Sequence, residues 1–78
     1  MSSVSPDVVI DAKGLISPMP VLKAKKAIDR MAQGQVLSII ANDAGTPSDI
    51  PLFVEKLGLE LLDTIERSGA TEFYIRKP

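Results

Sequence analysis

The sequence predicts a two-layer α/β sandwich in which two helices cover one face of a four-stranded mixed sheet, in the order β-α-β-α-β-β. Two largely apolar runs, at 7–12 and 35–41, each precede a segment whose apolar residues recur at helical spacing. A strand–helix–strand start implies a parallel pair joined by a right-handed crossover. Two further strand-like runs around a glycine turn add an antiparallel hairpin. Because both helices are one-sided, we expect them on the same face of the sheet.

The chain length favours a single domain. With 78 residues, the chain suits one small domain and leaves no room for two. We expect residues 1–6 to form a flexible N-terminal tail and residues 7–78 to form the domain. Hydrophobic residues make up 45% of the chain, which is typical of a packed core, and only three side chains are aromatic, so that core is mainly aliphatic. We expect a monomer, because so small a fold has little apolar surface to spare.

The first helix is predicted over about residues 18–33. Pro18 and Pro20 suit its first turn, where backbone N–H groups have no partner within the helix. Gly34 follows the last apolar position and is a typical stop signal. The apolar stripe expected to face the sheet consists of Val21, Ala24, Ile28 and Met31, widened by Leu22, Ala27 and Ala32.

The second strand and helix follow a similar pattern. Residues 35–41 are almost all apolar, which favours a strand buried in the middle of the sheet. Residues 42–48 are rich in turn-forming side chains. Asp49 is then predicted to cap the second helix, with Pro51 in its first turn and Gly58 ending it.

The terminal hairpin is predicted from strands at 59–66 and 71–77, joined by the turn sequence RSGA. Phe73 and Tyr74 are neighbours on the last strand, so they point to opposite faces of the sheet. We therefore expect one of them in the core and the other on the open face. A single tyrosine there is weak support for base stacking, because RNA-binding sheets present two or three aromatic side chains.

The composition excludes several classes of function. The chain has no cysteine and no histidine, which excludes disulfides, zinc sites built on those residues, thiol nucleophiles and histidine bases. No acidic cluster has the spacing of a calcium loop, and we expect neither a metal nor a cofactor. The net charge of −1 argues against direct binding of nucleic acid. With no signal-peptide pattern and no apolar run long enough to span a bilayer, we expect a cytoplasmic protein without membrane contact.

The sequence SPMP at residues 17–20 raises the main functional question. Ser17 directly before Pro18 is a favourable helix start, because its hydroxyl oxygen can accept a hydrogen bond from an unpartnered N–H group. In this interpretation Ser17 is an N-cap, and Ser17→Ala costs about 1 kcal/mol. A helix N-terminus also attracts anions and lowers the pKa of a cysteine placed there. The location therefore suits a sulfur nucleophile, although the residue present carries oxygen.

A second candidate feature is the basic face of the first helix. Lys23, Lys25, Lys26 and Arg30 are expected to be exposed there. One interpretation is a solvated helix face without a specific role. The other is a docking surface for an acidic partner, or a surface that steers an anionic substrate.

The residues around Ser17 form a recognisable pattern. A strand and a Gly-Leu pair precede the Ser-Pro-x-Pro sequence, and a basic amphipathic helix follows it. The sequence ANDAGTPSDIPLF at 41–53 leads into the second helix, and YIRK at 74–77 closes the last strand. In these features, over about residues 7–77, the chain resembles the TusA/SirA-like family of small sulfur-carrier proteins, whose signature is Cys-Pro-x-Pro. The positions that match the family pattern are Asp11, Gly14, Leu15, Pro18, Pro20, Leu22, Lys23 and Lys26.

The resemblance implies that Ser17 stands at the position of the family's carrier cysteine. In the family, that cysteine accepts a persulfide sulfur from a cysteine desulfurase or another sulfurtransferase. It then passes the sulfur to an acceptor protein, for example toward thiolated tRNA bases or sulfur oxidation. By the same resemblance, Pro18 and Pro20 shape the helix mouth and Gly14, beside Leu15, permits a tight approach. Because serine cannot hold a persulfide, the chain as written is expected to be inactive in sulfur transfer.

Two origins of the serine and three functions stay open at this point. The serine is either an engineered replacement in a working carrier or a feature of a natural relative that has lost the thiol. The leading function is a sulfur carrier that docks its partners through Lys23, Lys26 and Arg30. The second is a thiol-independent binding or regulatory module on the same fold. The third is a small nucleic-acid-binding domain, against which the net charge and the scarcity of aromatic residues argue.

Overall fold

The fold is taken from a computed structural model, which describes residues 4–78. The strands and helices are β1 (Val8–Asp11), α1 (Met19–Arg30), β2 (Val36–Ala41), α2 (Thr46–Lys56), β3 (Glu60–Arg67) and β4 (Ala70–Arg76). The sheet order is β1-β2-β4-β3, with β1 parallel to β2 and the other two pairs antiparallel. The predicted four-stranded mixed sheet and the β-α-β-α-β-β order are therefore confirmed.

Both helices pack against the same face of the sheet. On that face Leu37 and Ile39 of the central strand β2 lie fully buried beside Phe73 and Ile75 of β4. Burying a large apolar side chain contributes roughly 1.5–3 kcal/mol, so this mainly aliphatic layer is the chief source of stability. The helices complete the core with Ala24, Ile28, Met31, Ile50, Phe53 and Val54.

Tyr74 lies on the opposite face of the sheet, directly across from Ser38 of β2. Since Phe73 faces the core, the prediction of one aromatic residue for each face is confirmed. The Tyr74 hydroxyl donates to Glu72 at 3.0 Å, and Arg67 pairs with the same carboxylate at 2.8 Å. The hydrogen bond to Glu72, together with burial, raises the pKa of Tyr74 above its ordinary value of 10.0.

α1 is shorter than predicted, and its buried stripe is narrower. The helix ends at Arg30, because the next residue adopts an extended backbone with a ψ angle of 153°. Ala32 therefore lies beyond the helix and is exposed. Leu22 is 52% exposed, because each step along a helix turns a side chain by about 100° and carries it off the row of Ala24 and Ile28. Both residues were wrongly predicted to widen the buried stripe.

α2 begins earlier than predicted. Its N-cap is Gly45 and its first residue is Thr46, so Asp49 is not the cap that the sequence predicts but lies in the first helical turn. Pro47 occupies the N-terminal position that was expected for Pro51, which lies inside the helix instead. Pro51 is the sixth residue of α2, and without a backbone N–H it donates no intrahelical hydrogen bond there.

The C-terminal end of α1 is held by the last residues of the chain. The Nζ of Lys77 donates to the carbonyl oxygens of Ile28 and Met31, both at 2.8 Å. The backbone of Lys77 also bonds to Gly34 and Gln35. The Ile28 carbonyl also accepts the N–H of Met31, so Lys77 adds a second donor there. The ammonium group also places a positive charge where the helix dipole favours one.

The hairpin turn is confirmed, with positive φ angles at Ser68 (50°) and Gly69 (77°), as a two-residue turn requires. Of the predicted tail, residues 1–3 lie outside the described residues, and residues 4–6 have no regular secondary structure. Within residues 4–78, no helix is long and apolar enough to cross a membrane.

Candidate functional site

The candidate site forms where the chain enters both helices, at the carboxyl ends of β1 and β2. The connection that follows β1 turns at Gly14, which has a φ angle of +86°. The N–H of Gly14 donates at 2.9 Å to the side-chain oxygen of Asn42, in the connection that follows β2. This hydrogen bond ties the two connections together and brings Ser17 next to the start of α2.

The Ser17 hydroxyl donates a hydrogen bond to the Asp49 carboxylate. The N-cap of α1 is Pro18, and no side chain donates or accepts a capping hydrogen bond there. The interpretation of Ser17 as an N-cap is therefore wrong, because its hydroxyl is engaged across the helix pair by a residue 32 positions later. Sequence proximity favoured the local cap, whereas the packing of α1 beside α2 supplies a charged acceptor.

Gly45 makes the close approach that was predicted for Gly14. A Cβ atom on Gly45 would lie 3.1 Å from the Cβ of Ser17 and 3.2 Å from Oδ2 of Asp43, which is closer than ordinary van der Waals contact. A Cβ on Gly14 would meet nothing within 4 Å. Gly14 is instead needed for its positive φ angle, which L-residues rarely adopt. The glycine that allows tight packing at the site is therefore in the second connection.

The site combines two helix N-termini with the carboxylate of Asp49, which accepts the Ser17 hydrogen bond. Ser17 lies at the start of α1 and in near contact with the N-cap of α2. The first turn of α1 contains no acidic residue, and that of α2 contains Asp49. Among residues 4–78, Asp49 has no cationic partner within 4.0 Å. The positive ends of two helix dipoles and one negative side chain therefore act on the same hydroxyl.

The other predicted motif residues are divided between core and surface. Pro20 is fully buried, and Leu15 packs against the core while half-buried. Pro18 is exposed and lines one end of a cleft of about 320 Å³ between α1 and α2. Asp49 and Phe53 of α2 line the same cleft. The two prolines thus sit on opposite sides of the helix start, one anchoring it and one shaping the surface.

The three cations predicted to dock a partner are brought together on α1. Lys23, Lys26 and Arg30 line a shallow cleft of about 230 Å³ next to Ile10 of β1. None of the three forms an ion pair within residues 4–78, whereas Lys25 is paired with Asp29 at 3.0 Å. The basic cleft thus lies along α1 and does not touch Ser17 itself.

Exposed apolar side chains around Ser17 are the part of the site that the sequence analysis missed. Ile16 is 71% exposed, Met19 45% and Leu22 52%, and on α2 Leu52 is 58% exposed. Apolar residues at helix positions off the buried row were the signal that could have revealed Met19 and Leu22. Asp49 and Gly45 carried no such signal for this site, since their contact with Ser17 exists only in the folded chain.

No metal-binding group is present in the part of the chain that the structure describes. Within residues 4–78, no three acidic side chains come close enough together to hold a metal ion. The titratable group nearest to Ser17 is the Asp49 carboxylate, and the nearest glycine is Gly45. The chemistry available at the site is therefore that of the Ser17 hydroxyl, the carboxylates of Asp49 and Asp43, and two helix N-termini.

The sequence is similar to a known protein family over nearly its whole length. The sequence model of the family described as Sulfurtransferase TusA matches residues 8–77. The chain is 42% identical over 71 residues to the sulfur carrier protein TusA of Allochromatium vinosum, covering 91% of this chain and 93% of that one. It is 42% identical over 77 residues to TusA of Pseudomonas putida, covering 99% of this chain and 96% of the relative.

A solved structure supports the same assignment. The crystal structure of the SirA-like protein from Desulfitobacterium hafniense superposes with a TM-score of 0.79 and 27% sequence identity. The match covers 88% of this chain and 95% of that one. Because the family match spans nearly the whole described domain, the chain belongs to the TusA family.

Proposed function

We propose that this chain is a sulfur-carrier scaffold of the TusA family in which Ser17 occupies the sulfur-accepting position. As written, the chain docks sulfur donors and acceptors but takes up no sulfur itself, because a serine oxygen cannot form a persulfide. The observation that carries the proposal is the location of Ser17. It is half-buried at the start of α1, beside the N-cap of α2, and is surrounded by exposed apolar side chains.

Sulfur transfer to this position requires only a thiol. A thiolate at residue 17 attacks the terminal sulfur of a donor cysteine persulfide. A new S–S bond forms on the carrier, the S–S bond of the donor breaks, and the donor cysteine leaves as its thiolate. No separate oxidant is needed, because the transferred sulfur already carries the oxidation level of the new bond. The helix N-termini at the site favour the attacking anion.

The surface around Ser17 supports docking. Ile16, Met19 and Leu22 present apolar area beside the reactive position, and interface cores are enriched in such side chains. Lys23, Lys26 and Arg30 lie further along α1 without ion-pair partners among the described residues. They would speed the encounter with an acidic partner, since rim charges act mainly on association rates. A cysteine desulfurase or another sulfurtransferase as donor, and a downstream acceptor protein, are the partners this arrangement suits.

The test is sulfur loading of the Ser17→Cys protein. The variant is incubated with a cysteine desulfurase and free cysteine, and its intact mass is measured before and after treatment with a reductant. We expect a gain of one sulfur atom that the reductant removes. The unaltered chain, treated in the same way, is expected to gain none.

A matched control places the thiol elsewhere. In Ala32→Cys the new thiol is exposed just past the opposite end of α1, where no helix N-terminus is near. We expect it to load much less than Ser17→Cys. The test uses a panel of donors that are shown to load another TusA-family protein. If these donors load Ser17→Cys no better than Ala32→Cys, the proposal is overturned in favour of a thiol-independent binding module.

A further inference from the structure

We infer that Asp49 is a positioning residue for the group carried at position 17. It holds that group by a hydrogen bond and opposes its ionisation, against the pull of the two helix N-termini. The biological purpose of this contact rests on the proposed sulfur-carrier function. Its test does not, because it measures a thiol pKa in the absence of any sulfur donor or acceptor.

The geometry of the contact is specific. The hydroxyl of Ser17 is the donor and Oδ2 of Asp49 is the acceptor, so the side chain at position 17 is aimed at the carboxylate and away from the N–H groups of α1. Gly45 allows the two helix starts to come this close, because any side chain there would meet Ser17. The contact is half-buried, which strengthens it relative to one in open water.

The other charged groups near the contact do not cancel the charge of Asp49. Asp43, in the connection before α2, accepts a hydrogen bond from the N–H of Gly45 at 2.9 Å. Lys25 of α1 and Lys56 of α2 line the same cleft as Asp49, but neither comes within 4.0 Å of it. Lys25 is instead paired with Asp29. The group at position 17 therefore faces a full negative charge at hydrogen-bond distance.

The sizes of the charges decide whether Asp49 or the helix N-termini dominate the pKa of a thiol at position 17. A helix N-terminus acts as roughly half a positive charge, and its effect fades within the first turn. A carboxylate in direct contact is a whole charge, and like charges within about 4–6 Å disfavour each other. A thiol at position 17 would thus remain protonated to a higher pH than the helix N-termini alone would allow. Asp49 would therefore reduce the fraction of thiolate at position 17 at neutral pH.

The experiment compares Ser17→Cys with the double variant Ser17→Cys/Asp49→Asn. The rate of alkylation by iodoacetamide, a neutral reagent, is measured from pH 5 to pH 10, and the thiol pKa is read from the midpoint. Asparagine keeps the shape and the acceptor oxygen of Asp49 but removes the charge. We expect the thiol pKa to fall by about one unit, with alkylation up to about tenfold faster at pH values below both midpoints.

Two controls separate this charge effect from a general change in structure. Asp43→Asn in the Ser17→Cys background removes a nearby charge that faces a backbone amide, and we expect a clearly smaller fall. Ala32→Cys/Asp49→Asn is expected to titrate like Ala32→Cys alone. Asp49→Glu keeps the charge and is expected to preserve the high thiol pKa.

An unchanged or raised thiol pKa in the folded double variant would overturn the inference. Far-UV circular dichroism establishes that the variant is folded. If Asp49→Asn does not fold, Asp49→Ala removes the same charge with a residue that suits a helix interior, and the same fall is expected. A chain that shows the fall but loads no sulfur would contradict the proposed function and leave the role of Asp49 intact.

Discussion

The two ends of α1 are organised in opposite ways. At the C-terminal end, Lys77 occupies two helix carbonyls and its backbone closes against Gly34 and Gln35. At the N-terminal end, no side chain caps the helix, and Ser17 turns instead to Asp49 on α2. Hydrogen bonds from the last residues of the chain thus close the C-terminal end. At the N-terminal end, the Ser17 side chain points to the Asp49 carboxylate of α2 and does not cap α1.

The difference shows how so small a domain can combine stability with a reactive position. A helix start with no side-chain cap loses about 1 kcal/mol relative to a well-capped one. The charged cap at the far end offsets this loss, because hydrogen bonds to ionised groups contribute about 1.5–3 kcal/mol. The side chain at position 17 is then not used to cap α1 and is held by Asp49 instead. Substitutions at each end, with Tyr74 as a reference, test whether the two ends differ in this way.

The largest expected effect is at the closed end. Lys77→Met keeps the aliphatic stem but removes the ammonium group that bonds to Ile28 and Met31. We expect the free energy of unfolding to fall by about 2 kcal/mol, as measured by urea denaturation. Lys13→Met, at an exposed lysine in the connection after β1, is expected to change it by less than about 0.5 kcal/mol. Equal effects of the two substitutions would mean that the hydrogen bonds of the Lys77 ammonium group do not stabilise the C-terminal end of α1.

The next effect concerns the packing at the open end. Gly45→Ala brings a methyl group to 3.1 Å from the Cβ of Ser17 and replaces a good N-cap by a poor one. We expect a loss of about 1 kcal/mol in the free energy of unfolding. In a Ser17→Gly background the loss is expected to be smaller, because the Cβ in the way is gone. A loss of the same size in both backgrounds would mean that the contact with Ser17 is not its cause.

A double-mutant cycle tests the partner of Ser17 directly. Ser17→Ala and Asp49→Ala each remove one side of the hydrogen bond. We expect a coupling free energy of about 0.5–1 kcal/mol between them, since contacting residues are not additive. If Ser17 served as an N-cap of α1, the two effects would add without coupling. Urea denaturation of the four proteins supplies the measurement.

The smallest expected effect is on Tyr74, which lies on the sheet face opposite both helices and serves as the reference. Its absorbance titration reports one group, because it is the only tyrosine of the chain. Ser17→Ala and Lys77→Met are expected to leave the raised pKa of Tyr74 unchanged. Glu72→Gln is expected to lower it, because the carboxylate that accepts its hydrogen bond loses its charge.

The raised pKa of Tyr74 predicts that the stability of the fold depends on pH. The pKa of Tyr74 is higher in the folded chain than the ordinary value of 10.0. Its contribution to the free energy of unfolding is therefore fully present below pH 10.0. The contribution is lost as the pH rises through the folded-state pKa. Urea denaturation between pH 8 and pH 11 should show this loss, and Tyr74→Phe should show a smaller one. A parallel decline in both proteins would assign it to other groups.

The elements that the sequence predicts well are those set by local pattern. β2 was predicted at 35–41 and occupies Val36–Ala41, because an apolar run of that length can be buried on both sides only in a central strand. The hairpin follows from its Ser-Gly turn. The start of α2 was predicted poorly because two prolines compete for the first turn, and only packing selects Pro47 over Pro51.

The residues of the functional site likewise fall into those that the sequence reveals and those that only the folded chain brings together. Ser17, its flanking prolines and the basic residues of α1 are visible in the linear sequence, because each belongs to one short segment with a helix start and helical spacing. The acceptor of the Ser17 hydroxyl and the glycine that lets the two helix starts approach are decided only by the tertiary structure. They depend on how α1 and α2 meet on the sheet, and no periodicity within either helix encodes a contact between residues 32 positions apart.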